Sequence, residues 1–117
     1  MPGYLTTHVL DTARGCPGDG IEIELFRIDG DSRTPLATLT TNDDGRTDQP
    51  ILAEADFAPG LYELVFRAGD YLNRTDAPGA EPRFLDVIPI RFSMTEASHY
   101  HVPLLLSPFG YSTYRGS

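Results

Sequence analysis

The chain has 117 residues, with 17 Asp plus Glu against 9 Lys plus Arg and a net charge of -8. At this length one core burying roughly two thirds of the unfolded surface is expected and a second domain does not fit, so residues 1–117 are read as one domain. The acidic excess argues against nucleic acid and anionic membranes as partners, and no apolar run approaches the ~20 residues of a membrane helix. The single cysteine, Cys16, cannot form an internal disulfide. Together with a start that lacks a signal-peptide pattern and an end that is not a peroxisomal tripeptide, this predicts a cytoplasmic protein.

Residues 5–11 form the first candidate strand. At 21–25, Ile21, Ile23 and Leu25 alternate with Glu22 and Glu24, a period of two that puts one face on a core and the other outward. Residues 35–41 form the next candidate, followed by the turn residues Asn42, Asp43, Asp44 and Gly45. Segment 61–67 begins after the turn pair Pro59 and Gly60 and is rich in aromatic and β-branched residues. Asp70 suits a cap for one short helix over 70–74, and 76–82 reads as a loop. Segment 85–92 contains Pro89, which cannot donate a ladder hydrogen bond, so this strand belongs at an edge or at a bulge. Segments 100–106 and 110–114 complete the set. Seven or eight short strands and one short helix suggest an all-β sandwich of two antiparallel sheets packed face to face.

Three histidines stand at 8, 99 and 101. Alternation places His101 on the face opposite Tyr100, Val102, Leu104 and Leu106, and His8 opposite Leu5, Thr7 and Val9, on the side of Thr6 and Leu10. Two such imidazoles could converge and pass a proton at neutral pH. They could equally be half-exposed surface residues. A zinc set is disfavoured, because the 99 and 101 spacing comes with no Cys or acidic ligand motif. Arg46, in TNDDGRTD, could bind a carbonyl oxygen or carboxylate through its donor fork, or simply pair with Asp43, Asp44 or Asp48.

The combination is more informative than the parts. His8, Val9, Leu10 and Asp11, followed by Gly15, Cys16, Pro17 and Gly18, resemble the first signature of the transthyretin-like family. Tyr100, His101, Val102 and Pro103, then Leu106, Ser107, Pro108, Phe109, Gly110, Tyr111 and Ser112, resemble the second. The resemblance covers essentially the whole chain and points to the family's 5-hydroxyisourate hydrolase branch. His8 stands where the hormone carriers have Lys, Arg46 where they have Glu and His101 where they have Thr, and the ending Tyr114, Arg115, Gly116, Ser117 is the hydrolase ending.

The resemblance implies a transthyretin-like sandwich assembled as a homotetramer with sites shared between subunits. It also implies hydrolysis of 5-hydroxyisourate to 2-oxo-4-hydroxy-4-carboxy-5-ureidoimidazoline in urate degradation, without cofactor or metal. His8, Arg46 and His101 would be catalytic, and Tyr114, Arg115, Gly116 and Ser117 would bind substrate. His99 is expected to be a neighbour of the site at most. The competing readings are a carrier of a small aromatic ligand, a structural sandwich, and nucleophilic catalysis by Cys16, which sits in a Gly and Pro turn with no evident base.

Overall fold

The alternation at the two ends of the chain becomes two neighbouring strands of one sheet in a computed structural model that describes residues 2–75, 77, 79 and 81–116. The strands are β1 (Tyr4–Asp11), β2 (Cys16–Pro17), β3 (Glu22–Asp29), β4 (Ser32–Thr40), β5 (Gly60–Arg67), β6 (Val87–Met94), β7 (His99–Ser107) and β8 (Gly110–Thr113), with helix α1 (Ala68–Arg74) between β5 and β6. One sheet has the order β2-β1-β7-β8 and the other β4-β3-β5-β6. The expected two-sheet sandwich is present, with eight strands and one α-helix among the described residues where seven or eight strands are expected.

Within it, β1 and β7 run parallel, whereas the other strand pairs are antiparallel. The reason is connectivity. The whole second sheet and the helix lie between β1 and β7 in sequence, and a parallel pair requires a long crossover of this kind. Tyr4 pairs with His99, Thr6 with His101 and His8 with Pro103.

Leu5 and Val9 of β1, Ile23 and Leu25 of β3, Leu64 and Phe66 of β5, Ile88 of β6 and Leu104 and Leu106 of β7 fill the space between the sheets. On the opposite face of β1 and β7, Thr6, His8, His99 and His101 are half-buried. Pro89 lies on edge strand β6, and the bulge falls in the β3–β4 pair beside Pro35, on edge strand β4. Pro103 is in an inner strand, where the missing N–H interrupts a ladder. The β7–β8 pairing stops at Leu104 and Thr113, and resumes in the same register as an isolated bridge between His101 and Gly116.

The helix starts at Ala68, two residues before the expected Asp70, which sits in its first turn; Arg67 is the cap residue and makes no side-chain cap bond. In that first turn the Gly69 N–H donates to the Asp86 carbonyl (2.8 Å), and a side chain at Gly69 would strike Asp86. The 76–82 loop lies partly outside the described residues. α1 buries Tyr71 and Leu72, and the Tyr71 hydroxyl donates to the buried carboxylate of Asp11 at 2.7 Å. Burial and that carboxylate push the Tyr71 phenol up to about 12. This bond anchors the C-terminal end of β1. Tyr71→Phe removes a donor from a buried carboxylate, so urea unfolding should show a loss of about 1–3 kcal/mol, with β1 weakened but the fold retained.

Candidate active site

A turn and two strands build the site. The Asn42 side-chain oxygen accepts from the backbone N–H groups of Asp44 (2.9 Å) and Arg46 (3.2 Å), and the Asn42 N–H donates to the Arg46 carbonyl (2.7 Å). An Asn oxygen that closes a turn on its own backbone is the reason this residue type suits the position. Gly45 has φ +74, and a side chain there would run into the Val9 carbonyl oxygen. With no side chain in the way, the Gly45 carbonyl accepts from the Val9 N–H at 2.8 Å. Arg46 then bridges to His8 on the outer edge of β1, and residues 51 and 52 pair with Leu5 farther along the same edge.

The parallel register makes His8 and His101 diagonal neighbours, with ring centroids 6.4 Å apart. His99 and His101 are separated by 6.2 Å. An open cavity of about 420 Å³ lies alongside, lined by Tyr4, Thr6, Arg46, Asp48, His99 and His101 among others. Of the expected catalytic residues, Arg46 and His101 line it directly and His8 adjoins through its neighbours on both sides. Among the described residues, Arg46 makes no ion pair within 4 Å with Asp43, Asp44 or Asp48. Ion pairs among the described residues join Arg33 and Arg91 to Glu63 and Arg67 to Glu22 and Glu24, leaving the exposed Arg46 guanidinium to the cavity.

The tail is partly placed. Gly116 donates its N–H to the His101 carbonyl at 2.7 Å, and a side chain at Gly116 would meet the His101 ring. Tyr114 is exposed. The Arg115 guanidinium sits 4.2 Å from the centroid of Tyr100, on the strand face opposite His101, and reaches the Ser98 hydroxyl at 3.4 Å. Within one chain these two side chains do not line the cavity. Ser117 lies outside the described residues. Among the described residues no group of three or more His, Cys, Asp or Glu is arranged to hold a metal ion.

Alternation puts Thr6 on the side of His8 without giving it a role, and His99 is expected only as a neighbour of the site, which it is. In the structure the Thr6 Oγ1 lies 2.7 Å from His99 Nε2 and 2.8 Å from His101 Nδ1. Tyr4 stacks on His99, with centroids 4.2 Å apart and planes 4° from parallel. The signal was the repeat of outward positions, 4, 6 and 8 on one strand and 99 and 101 on the other, which becomes a set of contacts only once the parallel register is known.

The protein is thus a two-sheet sandwich carrying imidazoles and a guanidinium around a cavity on one outer face. The chain belongs to the HIUase/Transthyretin family, whose model matches residues 5–116. It is 63% identical to a 5-hydroxyisourate hydrolase of Mesorhizobium japonicum over 98% of this chain and 93% of that one. Among solved structures, it resembles (S)-allantoin synthase with TM-score 0.92 and 42% identity, over 99% of this chain and 44% of that one. It resembles the 5-hydroxyisourate hydrolase of Klebsiella pneumoniae with TM-score 0.80 and 34% identity, over 98% and 94% of the two chains.

Burial lowers both His8 and His101 from the ordinary imidazole value of 6.5, and the charge of Arg46 lowers them further; His99 and His8 add to the effect on His101, while Asp44 opposes it on His8. A proton is therefore held more weakly in the folded chain than in the unfolded one. The neutral rings contribute stability above pH 6.5 that is lost as pH falls through their folded values. NMR titration should place both midpoints below 6.5, and Arg46→Gln should move both upward. Midpoints that ignore the loss of Arg46 would show that its charge does not reach the rings.

Proposed function

We propose that this protein hydrolyses 5-hydroxyisourate, opening its six-membered ring at an amide-type carbonyl to give 2-oxo-4-hydroxy-4-carboxy-5-ureidoimidazoline. The observation that carries this reading is the meeting of His8, Arg46 and His101 on one sheet face, in a chain 63% identical to a hydrolase of that substrate. Two imidazoles with ring centroids 6.4 Å apart suit a reaction needing both a base and an acid. One takes a proton from water as its oxygen bonds to the carbonyl carbon, and the other gives a proton to the departing ring nitrogen. Arg46 opposes the negative charge that develops on the carbonyl oxygen. No step needs a cofactor.

The reading extends to a homotetramer whose pockets are shared between subunits. Half-buried Leu10 and Leu105 lie on the imidazole face of their strands, and such apolar groups are suited to a contact between copies. Shared pockets would also bring a tail from a second copy to a cavity that Tyr114 and Arg115 do not reach within their own chain, and Gly116 and Ser117 would complete the binding set there. The cytoplasm suits a chain whose only cysteine leaves no internal disulfide.

The test is to generate 5-hydroxyisourate in place from urate with urate oxidase and follow its ultraviolet decay. The protein should accelerate decay, with Arg46→Ala costing about 10²–10³-fold and His101→Asn about 10²–10⁴-fold. His101→Asn should keep the parent mass in solution. Decay at the spontaneous rate with folded protein present would refute the hydrolase reading, and a mass of 12.9 kDa at working concentration would refute the tetramer.

A further inference from the structure

Thr6 stands between two imidazoles of the neighbouring strand, at 2.7 Å from His99 Nε2 and 2.8 Å from His101 Nδ1. A hydroxyl has one proton to give, so it donates to one ring and accepts from the other. The two arrangements leave His101 in opposite states. When Thr6 donates to His99, His101 carries its proton on Nδ1 and its Nε2 is a bare base. When Thr6 donates to His101, the proton sits on Nε2 and that nitrogen is an acid.

We propose that Thr6 and His99 form a proton relay behind His101, with Thr6 as its positioning residue and His99 as the site where the proton rests. The inference rests on the hydrolase reading and assigns His101 the part of base. As the water oxygen bonds to the carbonyl carbon, its O–H bond breaks and the proton goes to His101 Nε2. The Nδ1 proton of His101 passes to Thr6 Oγ1, and the hydroxyl's own proton passes to His99 Nε2. His101 ends neutral in its other tautomer, the hydroxyl is restored, and His99 holds the added proton as an imidazolium. One proton has moved from water to His99, and nothing is oxidised or reduced.

The surroundings favour this direction. The Tyr4 ring lies flat against His99, and an aromatic face stabilises a cation placed over it. His101 is the poorer place for a positive charge, since burial, Arg46, His99 and His8 all disfavour its charged form. Arg46 and Asp48 from the turn line the same cavity as His99, and Arg115 reaches Ser98 next to it. Tyr4, Thr6, His99 and His101 all border that cavity, so the relay and the reacting atoms share one space.

Thr6→Val keeps the shape and removes the hydroxyl, whereas Thr6→Ser keeps the hydroxyl. Thr6→Val should lower kcat about 10–100-fold with KM within about twofold, and Thr6→Ser should stay within about threefold of the parent. A proton inventory in mixed H2O and D2O should curve more strongly for the parent than for Thr6→Val or His99→Gln, since the relay adds transfers to the two made by the base and the acid. Nitrogen-15 NMR should show a fixed His101 tautomer in the resting protein and a mixed one in Thr6→Val. A parent inventory no more curved than that of Thr6→Val, or Thr6→Val turnover within twofold of the parent, overturns the relay without touching the hydrolase reading. If the parent protein does not accelerate decay at all, the hydrolase reading fails by itself. The tautomer spectra then decide whether Thr6 links the rings, and a His101 tautomer unchanged in Thr6→Val refutes the link.

Discussion

Everything at the candidate site depends on the parallel pairing of β1 with β7. A strand's side chains alternate, so a shift of one residue in that register would turn every outward group inward. With Thr6 opposite His101 and His8 opposite Pro103, the imidazoles fall on one face and on neighbouring rungs. The pairing is secured from within by Leu5, Val9, Leu104 and Leu106, all fully buried, and at its far end by the Asp11 carboxylate under Tyr71. Moving the register would expose those leucines and bury imidazoles in their place. The core thus holds the site without sharing a residue with it.

Around that pair, the other contributors attach through backbone rather than side chain. Arg46 is delivered by a turn that Asn42 closes and Gly45 permits, docked on the free edge of β1. Gly116 is delivered by a ladder that Pro103 interrupts and His101 restores. Side chains are thereby left free to face the cavity. The charge of Arg46 disfavours protonation of His8 and His101 in a chain whose acidic groups outnumber its basic ones, so the electrostatics at these two rings are set locally and do not follow the net charge.

Much of this was legible in the sequence, and the rest was not for definable reasons. The alternation of Ile21, Ile23 and Leu25 reports one strand with one buried face, and it needs no partner to be read. Pro89 points to an edge or a bulge because a missing N–H acts locally, and β6 is an edge strand. The facing of His8 and His101 followed from the same alternation, and the family signatures joined them to Arg46. The parallel direction of β1 and β7 did not follow, because alternation carries no information about which way a neighbour runs. Thr6 and His99 were invisible as a pair for the same reason, lying 93 residues apart in sequence. Asp70 has the side chain of a cap, yet the helix begins two residues earlier at Ala68, where Arg67 is the cap residue without a side-chain bond and Gly69 packs closely on Asp86, a contact no local pattern reports.

The central claim is that His8 and His101 work as one unit because the strand register makes them neighbours. A double-mutant cycle on turnover tests it most directly, using His8→Asn, His101→Asn and the two together. Residues that act in one step are non-additive when removed, so the double variant should be little slower than the worse single one. Losses that multiply across the two substitutions would contradict the account, showing two imidazoles that lie close but act independently.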